Sequence, residues 1–84
     1  MKFKAEITIM PLRSHTDPNG EHAEKALHKM GYSSIEEVRI GKNITLMLEA
    51  NSKEDAMHIL NKACNDLLVN PVAEGFEYTI QPID

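Results

Sequence analysis

With 84 residues, 13 acidic against nine basic, and a single cysteine, Cys64, the chain reads as one domain spanning residues 1–84. A domain this small buries only about 60–65% of its unfolded surface. The net charge of −4 repels phosphate backbones and argues against general nucleic-acid binding, one cysteine excludes an internal disulfide, and no apolar run approaches the ~20 residues of a membrane span.

So thin a core is usually supported by disulfides, metals or self-association, and self-association is the leading candidate here. The first apolar residues alternate with Lys2 and Lys4 instead of forming the continuous run of a secretory signal, so a cytoplasmic location without membrane attachment is expected. In residues 3–9, Phe3, Ala5, Ile7 and Ile9 alternate with Lys4, Glu6 and Thr8, the period-two pattern of a strand with one buried face. Pro11 ends it. The next residues, 12–16, have no period and read as a loop. Asp17 is placed to cap a helix whose first residue is Pro18. Ala23, Ala26, Leu27 and Met30 fall on one stripe of that helix, and Gly31 stops it as a left-handed C-cap.

Residues 35–40 predict a second strand with Val38 and Ile40 facing inward, and Ile44, Leu46, Leu48 and Ala50 a third, the two joined by a tight hairpin at Gly41-Lys42-Asn43. Ser52 caps the second helix, with Glu54 and Asp55 in its positively polarised first turn. Its apolar stripe is Ala56, Ile59, Leu60, Ala63 and Leu67. Asn70 and Pro71 end the helix over residues 52–69, and a last strand alternates Phe76, Tyr78 and Ile80 with Glu77, Thr79 and Gln81.

The order β-α-β-β-α-β predicts an α+β, ferredoxin-like two-layer sandwich: a four-stranded antiparallel sheet with two helices on one face. The uncovered face then carries Thr8, Met10, Arg39, Thr45, Met47, Glu49 and Thr79. That mixture is too apolar in places for a purely solvated surface, so Met10, Thr45, Met47 and Thr79 are candidates for self-association. The bland alternative is a two-layer monomer with a few exposed methionines.

Residues fit for chemistry are sparse. No two of His15, His22, His28 and His58 lie three or four apart, and no Cys/His cluster adds ligands, so these are read as surface histidines. Cys64 lies beside the apolar stripe of its helix with no basic neighbour to stabilise a thiolate, which makes it a structural thiol. Glu36-Glu37 and Glu54-Asp55 are adjacent pairs whose side chains diverge, unlike an acid/base dyad. The open amides at Asp17-Pro18-Asn19-Gly20 offer an anion-binding geometry, although most such sequences are simple caps.

Taken together, Asp17-Pro18-Asn19-Gly20, the run Ala26-Leu27-His28-Lys29-Met30-Gly31-Tyr32, Val38-Arg39-Ile40-Gly41-Lys42 and Leu67-Leu68-Val69-Asn70-Pro71-Val72 resemble, in order and spacing, the PurS family, the small subunit of phosphoribosylformylglycinamidine synthase. The resemblance covers nearly the whole chain. It implies a PurS-like fold and a non-catalytic subunit that forms a dimer or tetramer. In that assembly a glutaminase subunit releases ammonia, and a large synthetase subunit uses ATP and magnesium to make formylglycinamidine ribonucleotide in purine biosynthesis. The small subunit bridges the two, supporting assembly and ammonia transfer, and needs no cofactor of its own.

Carried over by position, the resemblance implies partner-facing residues at Asp17, Pro18 and Gly20, at Arg39, Gly41 and Lys42, and at Asn70 and Pro71. The sequence departs from the family pattern at Thr16, where an apolar residue is typical, at Asn19 in place of glutamine, and at Ala73 and Gly75. Two rivals share the element order. One is a regulatory module binding a small ligand at a subunit interface. The other is an acylphosphatase-type hydrolase, whose phosphate cradle Met10-Pro11-Leu12-Arg13-Ser14 does not reproduce because it lacks glycine.

Overall fold

A computed structural model describes residues 1–13 and 17–83; Ser14, His15 and Thr16, including the expected family departure at Thr16, lie outside the described residues. Three strands, β1 (Lys2–Pro11), β2 (Lys42–Glu49) and β3 (Glu74–Ile83), form one antiparallel sheet in the order β2-β1-β3. Two helices, α1 (Pro18–Lys29) and α2 (Lys53–Ala63), complete the α+β chain, with a π-helical turn at Cys64–Leu68 continuing α2. Neither helix is long and apolar enough to cross a membrane.

The alternation read from β1 places Phe3, Ala5, Ile7 and Ile9 in the core. Opposite residues of antiparallel strands share a face, so the pairings Phe3↔Leu48, Ala5↔Leu46 and Ile7↔Ile44 on one side, and Ala5↔Ile80, Ile7↔Tyr78 and Ile9↔Phe76 on the other, define one apolar inner face. Helix α2 packs on it through Ala56, Leu60 and Cys64. Ser52 caps α2 as expected, its Oγ accepting from the Asp55 amide at 3.1 Å. At the far end the π-helical turn, closed by the Val69 amide on the Cys64 carbonyl at 2.9 Å, rotates the buried face. Cys64 and Val69 turn inward, while Leu67, expected in the stripe, is 84% exposed. Ile59 is exposed for a related reason: α2 leans towards β3, where the Asn61 amide group donates to the Tyr78 hydroxyl at 3.0 Å, and Ile59 projects from the opposite side.

Helix α1 starts and stops as the sequence predicts. Asp17 Oδ1 accepts from the Gly20 amide at 3.0 Å, and Gly31 adopts φ +100 just past the helix, a conformation that costs a glycine nothing. The expected position of the helix is not observed. No described residue from 12 to 43 belongs to the core cluster or to the partly buried apolar residues packed on it, and Gly20 is the only buried residue of α1. Instead α1 and the returning segment, residues 30–41, form an arm beyond the end of the sheet. The chain measures 51 × 28 × 14 Å, and its radius of gyration of 16.6 Å exceeds the about 12 Å expected of a compact domain this long.

The arm also corrects the four-strand prediction. Residues 35–40 form no strand and Gly41-Lys42-Asn43 no hairpin; Lys42 and Asn43 already belong to β2. The returning segment uses its polar backbone groups against α1. Val38 donates its amide to Glu24 at 3.1 Å, Ile40 to Asp17 Oδ2 at 3.0 Å, and His28 Nε2 donates to the Ile35 carbonyl at 2.6 Å. Glu37 sits at φ 55, outside the range of any strand. Arg39, expected on the outer sheet face, is therefore absent from the sheet. Val38 is half-buried against the arm and Ile40 is exposed.

Candidate functional site

At the joint between arm and sheet, the first turn of α1, residues 39–42, the end of β1 and the turn before β3 meet around a cleft of about 370 Å³. Asp17, Pro18, Gly41 and Lys42 line it together with Ile40 and Glu74. Six of the eight residues singled out as partner-facing converge here through side chains or backbone: Asp17, Pro18, Gly20, Arg39, Gly41 and Lys42. Asn70 joins them through Glu74, and Pro71 is exposed on the adjoining turn.

Each converging residue has a structural task. Asp17 uses both carboxylate oxygens, one on the Gly20 amide and one on the Ile40 amide, so a single side chain caps α1 and ties the arm's return to its start. These two hydrogen bonds, with the Arg39 charge nearby, hold its pKa below the ordinary carboxylate value. Arg39 donates from its guanidinium to the Pro11 carbonyl at the end of β1. Glu74 mirrors Asp17: it accepts from the Asn70 amide at 2.9 Å and pairs with Lys42 Nζ at 3.3 Å, and those contacts lower its pKa as well. Gly20 and Gly41 serve by lacking a side chain. A Cβ on Gly20 would collide with the Val38 carbonyl, and one on Gly41 with the Ile9 carbonyl and the Met10 sulfur.

Arg39 and Lys42 are thus committed within the chain and are not free hairpin charges. Sequence reasoning missed Glu24 and Glu74, which close this network, because side-chain links across 14 or more residues leave no period to read. Glu74, four residues after the turn-forming Asn70, was the one locally visible clue.

The other candidates lie on the outer sheet face. Thr45 and Thr79 flank Glu6, and Met47 stands opposite Lys4; Met47 is 65% exposed. Met10 is half-buried at the edge of this face. His22 and His58 are exposed, His28 braces the arm, and Cys64 is fully buried, which pushes its thiol pKa up. Among the described residues the joint supplies a charged surface and no nucleophile with an adjoining base.

The family model for PurS, phosphoribosylformylglycinamidine (FGAM) synthase, matches residues 4–82. The phosphoribosylformylglycinamidine synthase subunit PurS of Thermotoga maritima is 41% identical over 75 residues, covering 89% of this chain and 92% of that one. The Bacillus subtilis subunit of the same name is 32% identical over 81 residues, covering 96% and 95%. Among solved structures, the Bacillus subtilis PurS crystal structure superposes with a TM-score of 0.87 at 32% identity, covering 95% of this chain and 99% of that one. A chain of the PurLQS structure from Thermotoga maritima gives 0.87 at 38% identity, covering 96% and 99%. A family match across almost the whole length, joined to the same fold in solved relatives, shows that this chain belongs to the PurS family of phosphoribosylformylglycinamidine synthase.

Proposed function

We propose that the chain serves phosphoribosylformylglycinamidine synthase in de novo purine biosynthesis as its small, non-catalytic subunit, bridging the glutaminase and synthetase subunits and supporting ammonia transfer between them. The observation that carries this reading is the PurS family match over residues 4–82, which favours it over a ligand-sensing module. A likeness to a chain of the PurLQS structure supports the place in a larger assembly. ATP and magnesium are used by the synthetase subunit, and this chain needs no cofactor. The expected location is cytoplasmic.

The joint residues Asp17, Pro18, Gly20, Arg39, Gly41, Lys42, Asn70 and Pro71 present one surface to a partner subunit, with Pro18, Gly41, Lys42, Asn70 and Pro71 as its exposed parts. Self-association to a dimer or tetramer accompanies this role, and the outer-face residues Met10, Thr45, Met47 and Thr79 form one surface for it. Reconstitution tests the reading. The purified chain should hydrolyse neither glutamine nor ATP, yet be required for glutamine-supported amidine synthesis by the other two subunits. Full glutamine-dependent activity without it would refute the proposal.

A further inference from the structure

The chain contains one Asn-Gly step, Asn19-Gly20, in the first turn of α1 at the lip of the joint cleft, with Asn19 exposed. Such a step carries its own reactants. The Gly20 backbone nitrogen can attack Cγ of the Asn19 carboxamide, and glycine leaves the approach open because it has no Cβ and few backbone restrictions. Closing that five-membered ring requires the Gly20 nitrogen to give up its proton and the Asn19 backbone to rotate out of the helical range.

The closed joint denies both. The Gly20 amide donates to Asp17 Oδ1 at 3.0 Å, and Asp17 is held in place because its Oδ2 accepts from the Ile40 amide at 3.0 Å. A carboxylate facing the N–H disfavours an amide anion, and Asp17, with its pKa lowered by these same bonds, is a poor base for taking the proton. The Glu21 amide donates to the Asp17 carbonyl at 2.9 Å, which fixes the turn containing Asn19. Gly20 itself is buried against the Val38 carbonyl, where not even a Cβ has room.

We propose that Asn19-Gly20 is a self-modification site gated by the arm: the Asp17 clamp keeps it unreacted while the joint is closed, and opening of the joint exposes it to deamidation. In the open arm the bond between the Gly20 nitrogen and Asn19 Cγ forms and the Cγ–Nδ2 bond breaks. The carboxamide nitrogen leaves as ammonia, taking the Gly20 amide proton. Water then opens the cyclic imide at either carbonyl, giving aspartate or β-linked isoaspartate. Both products add a carboxylate to the cleft lined by Asp17 and Glu74. Isoaspartate also lengthens the backbone by a carbon ahead of the Gly20 nitrogen, so Gly20 cannot return to its place beside the Val38 carbonyl and the arm stays open. The reaction needs no partner subunit and stands apart from the assembly reading.

The test incubates the full chain, Asp17→Ala and Asn19→Gln in mildly alkaline buffer, folded and in urea, and follows the Asn-to-Asp mass gain by peptide mass spectrometry. The folded wild-type chain should convert slowly and the urea-unfolded chain fastest, while Asn19→Gln should show no gain in that peptide. Loss of the cap in Asp17→Ala should speed conversion by about 5–30-fold, the factor a lost cap gives to an opening equilibrium. No conversion in urea would remove the site, and equal rates in folded and unfolded wild type would remove the gate. An unchanged rate in Asp17→Ala with its sheet intact by circular dichroism would remove the clamp. Should Asp17→Ala fail to fold, wild type in graded urea below its unfolding midpoint decides. Conversion should rise together with hydrogen exchange at Gly20 and Ile40 and ahead of exchange in β1; conversion that follows the β1 amides instead would overturn gating by the arm.

Discussion

The sheet with α2 and the projecting arm are built by different forces. In the body, Phe3, Ile7, Ile9, Leu60 and Cys64 are almost wholly removed from water, so hydrophobic burial holds the layers together. In the arm no large side chain is buried, and order comes from helix capping and from side chains gripping the backbone: Asp17 on Ile40, Glu24 on Val38, His28 on Ile35. Hydrogen bonds near solvent contribute modestly. The arm is therefore well directed but weakly stabilised.

Truncation separates the two regions most strongly. Leu60→Ala removes a side chain buried between α2 and the sheet and should destabilise the chain by about 2–5 kcal/mol. Leu27→Ala, on the half-covered arm stripe, should cost well under ~1 kcal/mol in the monomer, where little surrounds it. Urea unfolding of both variants at a concentration too low for association measures the contrast. Equal losses would mean that the arm shares the body's core.

The regions also differed in how far their sequences could be read. The body was legible because its order is periodic and local. Alternation in residues 3–9 and 76–80, the Ser52 cap and the inward Ala56 and Leu60 all survive in the structure. The arm was legible only at its ends, where Asp17 and Gly31 act as read. Residues 35–40 carry a strand's alternation, yet in the single chain their hydrogen-bonding groups face α1, and only a partner or a three-dimensional path decides that choice. Asp17 illustrates the same limit at one residue. Its capping oxygen follows from the neighbouring sequence, whereas the oxygen that holds Ile40 does not, because that contact spans 23 residues. The π-helical turn, which exposes Leu67, breaks the 3.6-residue period that predicted it to be buried.

Acid should open the arm before it unfolds the body. Asp17 and Glu74 both have folded-state pKa values below their ordinary values of 3.8 and 4.5, so the folded joint binds protons less readily than the unfolded chain. Their contribution to stability is fully present above those ordinary values and is lost as pH falls through the lowered folded values. Amide hydrogen exchange, corrected for its intrinsic pH dependence, should show protection at Gly20, Ile40 and Asn70 intact above pH 4.5 and falling progressively as pH drops below 3.8. Amides of β1 should stay protected over that range. Simultaneous loss in both regions would show that the joint is not an independently opening unit.

The smallest expected effect lies at Lys42, whose ammonium pairs with Glu74 across the cleft. The lysine side chain is 57% exposed, so water and salt screen the pair, and such bridges are worth about 0–1 kcal/mol. Lys42→Ala should leave the urea midpoint within error, since Glu74 keeps the Asn70 amide as its second partner. Arg39→Ala acts differently, because it removes the donor that ties the arm to the Pro11 carbonyl; it should raise exchange at Ile40 without altering the β1 amides. In the assembled enzyme the two variants separate joint from docking surface. If Lys42 serves only the joint, its loss leaves affinity for the partner subunits unchanged at low and high salt. If it also meets an acidic partner surface, affinity falls at low salt and the difference from wild type narrows as salt is added.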